Sequence, residues 1–92
     1  MTTQTCYQLT HEYGEYSHHE LLIQSTSYQT VKDDFDSAVL ETLSDKDSFT
    51  DALAIESILA TVDEDGEVDE VLDYLDVLDE HIFNQYNHQT FA

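Results

Sequence analysis

Residues 31–80 carry eighteen carboxylates against two lysines and no arginine, a net of −16. This density constrains the fold more than any other feature. Carboxylates are almost never fully buried unless they are paired, so each element in this stretch must keep one side in water. The other three acids, Glu12, Glu15 and Glu20, lie within residues 1–30, and the whole chain of 92 residues has a formal charge of −19. A surface of this kind repels DNA, RNA and anionic membranes over the whole approach. It suits a basic partner.

The length predicts one domain spanning 1–92, with a modest core. Six tyrosines, four phenylalanines and a 40% apolar share argue for a folded chain. Cys6 is the sole cysteine, which excludes an internal disulfide and fits a reducing compartment. Met1 to Leu9 lack the basic and apolar regions of a signal peptide. The longest apolar run, Ala52-Leu53-Ala54-Ile55, is far short of a membrane span. A cytoplasmic protein is expected, in the host cytoplasm if a phage encodes it.

Residues 5–26 read as a β-hairpin. Cys6, Gln8 and Thr10 alternate with Tyr7, Leu9 and His11, and Leu21 and Ile23 alternate with Glu20, Leu22 and Gln24. Tyr13-Gly14-Glu15-Tyr16 is the expected turn. Residues 30–85 read as an acidic helical part. Thr30 with Asp33 resembles a capped start, and Val31, Phe35, Ala38, Val39 and Leu43 recur at helical spacing. Ser48 with Asp51 repeats the capping pattern before Phe49, Ala52, Leu53, Ile55, Ile58 and Leu59. A third helix, roughly Glu67 to Gln85, is expected to bury Val68, Val71, Leu72, Leu75, Leu78, Ile82 and Phe83. Residues 86–92 form a polar tail, and no internal repeat is expected. The predicted fold class is α+β, an N-terminal hairpin packed against about three helices.

On that third helix Asp69, Asp73, Asp76 and Glu80 fall on one stripe, widened by Glu70 and Asp79, with no basic residue inside the helix to pair with them. Asp63, Glu64, Asp65 and Glu67 thicken one end. Asp33, Asp34, Asp36, Asp45, Asp47 and Asp51 are available for a second row. Like charges at this spacing destabilise a helix by roughly 0.2–0.5 kcal/mol each, and such local conflicts often mark function.

The short length, the lack of arginine and the run Asp63-Glu64-Asp65-Gly66-Glu67-Val68-Asp69-Glu70 resemble the DNA-mimic proteins of phages and mobile elements. That class includes anti-restriction proteins, anti-CRISPR proteins and uracil-DNA glycosylase inhibitors. The resemblance is one of charge and size over residues 31–80, with no motif from which functional positions carry over. It implies a non-enzymatic inhibitor that blocks the basic channel of a nuclease or CRISPR effector. Two other readings stay open: an acidic adaptor that binds a basic protein without imitating DNA, and acidity as salt adaptation. The chain is expected as a monomer or homodimer.

Other constellations point to no cofactor. With Gly66 at the sixth position of a calcium loop, Asp63, Asp65 and Asp69 take the third, fifth and ninth. Thr61 and Leu72 then stand where the first aspartate and the twelfth glutamate are needed. His18 and His19 are adjacent, so on a strand they point to opposite faces and cannot ligate jointly; His11 can meet one of them across the hairpin near Glu12 or Glu20, but the spacing supplies no full zinc ligand set. Nothing in the sequence fixes a base beside Cys6, and there is no G-x-S-x-G or phosphate loop. Tyr13 and Tyr16, at the hairpin tip, are candidate anchors in a partner, with packing as the alternative.

Overall fold

The computed structural model describes residues 1–14, 18–45, 48 and 50–83. Its elements run β1 (Thr2–Tyr13), β2 (His18–Ser25), α1 (Tyr28–Ser44), β3 (Thr50–Val62) and β4 (Val68–Ile82). The strands form one antiparallel sheet in the order β2-β1-β3-β4. Both β2 and β3 pair antiparallel with β1, so they are parallel to each other and α1 is the crossover that steps past β1. The molecule measures 42 × 31 × 17 Å, the thickness of one sheet and one helix.

The hairpin stands where the alternation put it. Tyr7 pairs with Ser25 and Tyr13 with His18, and a bulge at Leu22 falls between the pairs Leu9–Ile23 and Thr10–Leu21. Gly14 turns the chain at φ 83°, a conformation that costs a residue with a Cβ about 1–2 kcal/mol. Helix α1 also forms, with its start two residues earlier than Thr30. Ser27 is the N-cap, and its hydroxyl accepts from the Thr30 N–H at 3.3 Å.

The other two expected helices are strands. Among the described residues α1 is the one helix, so a hairpin against three helices is replaced by a four-stranded sheet with one covering helix. The segment from Thr50 to Val62 is one of the two inner strands. Its two faces are both covered, with Leu53 and Ile55 under α1 and Ile58, Ala60 and Val62 on the opposite side. A strand buried on both faces shows a continuous apolar run, which also passes for helical spacing.

The core under α1 joins Leu9, Val31, Phe35, Leu53 and Ile55, flanked by Tyr7, Ile23, Ala38, Val39 and Phe83. The Tyr7 and Tyr28 rings meet edge to face at 5.5 Å where the helix leaves the sheet. A smaller cluster of Cys6, Ile58, Ala60 and Val62 lies on the other face, against Val68 and Val71. Leu43, expected in the core, is exposed.

Strand β4 contains a short repeat, against the expectation of none. Val71-Leu72-Asp73, Tyr74-Leu75-Asp76 and Val77-Leu78-Asp79 are three copies of one triplet. A flat strand repeats every two residues, so a period of three has to be absorbed. The ladder with β3 absorbs it by slipping between Ile55 and Glu56, Ser57 and Ile58, Leu59 and Ala60, and Thr61 and Val62. Three residues of β4 thus oppose two of β3, and Asp69, Leu72, Leu75 and Leu78 are the extra residues of four successive bulges.

Candidate functional site

The register of β4 sorts its acids. Glu70 lies opposite Thr61, Asp73 opposite Leu59, Asp76 opposite Ser57 and Asp79 opposite Ile55. All four share the face of the sheet that carries α1. Each is two β3 residues from the next, so the carboxylates recur at about 6.8 Å and the row runs about 20 Å. One strand of duplex DNA has a phosphate per about 3.4 Å of axis, so the row holds one carboxylate for every second phosphate.

The row differs from the expected stripe. Asp73 and Asp76 belong to it, joined by Glu70 and Asp79. Asp69 is a bulge residue without an opposite number, and Glu80 pairs with Ala54 on the other face. There Glu80 borders a depression with Glu12, Glu56 and His19 around Ala52 and Ala54. Glu56 accepts from the Thr10 hydroxyl at 3.2 Å and the Gln8 amide at 3.4 Å, and Gln8 accepts from Gln24 at 3.1 Å. These bonds form a polar tie across β2, β1 and β3.

Side chains replace the ladder bonds that the bulges interrupt. The Thr61 hydroxyl accepts from the Glu70 N–H at 3.1 Å, and the Ser57 hydroxyl accepts from the Asp76 N–H at 3.1 Å. The carboxylates of Asp73 and Asp79 accept from the N–H of the residue that follows each, both at 2.9 Å. Two of the three triplets thus use their aspartate twice, as surface charge and as a local backbone acceptor.

Lys32 closes one end of the row. Its ammonium lies 2.9 Å from Asp79 and 3.1 Å from Asp36, and 4.9 Å from the centre of the Phe35 ring. The hydrogen bond from Lys32 holds the Asp79 carboxyl below the usual aspartate range. The bonds to Asp79 and then Asp36 push the Lys32 ammonium upward. Asp36 thereby joins the β4 row, which the sequence left as one member of a second row. Asp34 leans to the other flank, beside Leu22 and Ile23, and Asp33 accepts from Gln29 at 2.8 Å. Asp51 is buried. Asp47 falls outside the described residues, and among those described no second row assembles.

The acidic turn between β3 and β4 is held by Asp63, whose carboxylate accepts from the N–H groups of Asp65 and Glu67, both at 2.9 Å. Gly66 sits at φ 81°, and Glu64, Asp65 and Glu67 are exposed. The calcium-loop reading needs a helix on each side, and this turn joins two strands. Among the described residues no three His, Cys, Asp or Glu side chains converge as a metal site.

In the hairpin, the Tyr13 ring lies 4.9 Å from His11 and 5.8 Å from His18, a packed position and not a free tip. Tyr16 falls outside the described residues. His11 is 2.9 Å from Glu20 and 3.5 Å from the Thr50 hydroxyl. That order imitates a hydroxyl–imidazole–carboxylate relay, but 3.5 Å is long for proton transfer. The contacts link β1 to its two neighbours. Cys6 is buried, and burial pushes its thiol above the ordinary range, which keeps it protonated at neutral pH.

The other residues that sequence reasoning misplaced are apolar. Leu72, Leu75, Leu78 and Ile82, assigned to a core face, are 49, 45, 45 and 38% exposed, and Tyr74 and Val77 reach 65 and 60%. The signal was the period: three residues per repeat fits neither a helix nor a flat strand.

Comparison of the chain with protein families, curated proteins and solved structures finds no match. No helix among the described residues is long and apolar enough to cross a membrane.

Proposed function

We propose that the protein is a non-enzymatic inhibitor that presents the carboxylates of β4 to the basic nucleic-acid-binding surface of a DNA-handling enzyme, such as a nuclease or CRISPR effector. One observation carries this reading: Glu70, Asp73, Asp76 and Asp79 form a single row with regular spacing on an outer strand. A charge excess that served solubility alone needs no register. Here every triplet spends a bulge to return an aspartate to the same face. Docking on a basic channel releases counterions from both partners, as DNA binding does, so the affinity falls as salt rises.

The test is inhibition of DNA cleavage by a panel of purified nucleases and CRISPR effectors, with duplex DNA as competitor. The expected result is salt-sensitive inhibition that excess DNA relieves and that Asp73→Asn, Asp76→Asn and Asp79→Asn together abolish. Inhibition that survives these changes would sink the proposal.

A second reading, an acidic adaptor for a basic protein, draws on the exposed leucines of β4, which a pure polyanion does not need. It differs in one outcome: DNA does not compete for the partner.

A further inference from the structure

We infer that β4 recognises its partner through two interleaved rows, aspartate and aliphatic, and that the matching protein surface alternates basic with apolar side chains. This deepens the function proposed above and rests on β4 being the binding strand. Each triplet supplies one aspartate to the row and one leucine at the bulge beside it, and no residue of β3 stands opposite that leucine. Val71, Tyr74 and Val77 point to the face away from α1, opposite Ala60, Ile58 and Glu56. Between Glu70 and Asp79 the strand thus carries carboxylates on one side and apolar groups on the other, with half-exposed leucines between them. Exposed apolar surface gathered on one element marks a contact site.

Charge complementarity selects the occupant. A second copy of the chain would set one carboxylate row against another, on molecules of formal charge −19. The bulges also blunt the edge. The repeated bulges twist β4 and interrupt its ladder every third residue, as they do against β3, so backbone strand addition on the outer side is disfavoured. Contact therefore runs through side chains. An extended segment with a cation at every second residue repeats at about 6.8 Å, the interval of the aspartate row, and turns its remaining side chains to the apolar side.

The probe is a ten-residue peptide of alternating Arg and Val, titrated into the full isotope-labelled chain by NMR and by calorimetry. Peptides of alternating Arg and Thr and of alternating Glu and Val serve as comparisons. Binding of the Arg–Val peptide should shift the amides of residues 68–82, the Arg–Thr peptide should bind at least about tenfold more weakly, and the Glu–Val peptide should not bind. Replacing Leu72, Leu75 and Leu78 by Thr should remove the same factor without changing the salt dependence. The single change Leu75→Thr tests the point if the triple variant loses its circular dichroism spectrum.

Equal affinity for the Arg–Val and Arg–Thr peptides would overturn the inference and leave the DNA-site reading standing. Tight Arg–Val binding at β4 without inhibition of any DNA-handling enzyme would do the reverse. Shifts confined to other strands would also overturn it. So would self-association in sedimentation that protects β4, or nuclear Overhauser contacts from residues 84–92 to the three leucines, since each names a different occupant.

Discussion

Lys32 of α1 and Asp79 of β4 are joined at 2.9 Å, a bond that links the helix to the outermost strand across positions 47 residues apart in sequence. One cation thus fixes where the acidic row ends. Its other contact, to Asp36, keeps the ammonium on the helix side, so the rest of the row stays free of it.

The pH dependence of this link follows from the two displaced titrations. Asp79 is lowered, so its contribution is present above the ordinary aspartate value, about 3.9, and is lost as pH falls through the lower folded value. Lys32 is raised, so its contribution is present below the ordinary lysine value, about 10.4, and is lost as pH rises through the higher folded value. Between those limits the link is constant. Carboxyl and ammonium shifts followed by NMR should show Asp79 titrating below the usual range. In Lys32→Met that depression should vanish, and amide exchange should quicken at the β4 end near Asp79 and not at the β1–β2 hairpin.

The aspartate row should carry binding and little stability. Changing Asp73, Asp76 and Asp79 to Asn keeps a side-chain oxygen for the N–H that follows Asp73 and Asp79 and leaves the backbone bonds of Asp76 to Ser57 in place, so the fold should survive by circular dichroism. Inhibition should be lost, and any residual binding should depend less steeply on salt. Changing Asp33 and Asp34, which stand apart from the row, should leave both quantities near those of the unchanged protein.

Two aliphatic residues should respond oppositely. Ile55 is fully buried beneath α1, and Ile55→Ala should cost about 2–5 kcal/mol in urea unfolding. Leu75 is half exposed on its bulge, so Leu75→Ala should cost well under that. If Leu75 proved as costly as Ile55, the bulged ladder would be wrong and a buried face for β4 would replace it.

Cys6 should resist a thiol reagent at pH 8 in the native protein and react promptly in denaturant. Its Sγ–H donates to the Gln4 carbonyl at 3.8 Å, it is fully buried, and its thiol is pushed up. Reaction at the rate of a free thiol in the folded state would contradict that burial.

The hairpin and α1 were legible because each shows its own period: alternation from Cys6 to His11, and Val31, Phe35, Ala38 and Val39 along a helix face. Strand β3 was not. Neighbours cover both of its faces, which erases the alternation and leaves Ala52-Leu53-Ala54-Ile55 as a run that suits either state. Strand β4 misled for a different reason. Spacing of three lies near the 3.6 of a helix, so Leu72, Leu75 and Leu78 imitate a buried stripe. Pairing with β3 outweighs that local pattern, and the bulges turn the supposed core outward. Asp73 and Asp76 kept a common face under both descriptions. Asp69 and Glu80 left it because a sheet assigns faces by partner and not by turn of helix.

The three-on-two ladder also sets the step in which this strand can change length. Removal of Tyr74-Leu75-Asp76 would take out one whole unit, equal to two residues of β3, and every remaining side chain would return to its present side. Loss of a single paired residue, with the bulges kept, would exchange the charged and greasy sides of everything beyond the gap. Growth or shortening by threes is thus the route by which the span of the acidic edge can be retuned while the rest of the molecule stays as it is.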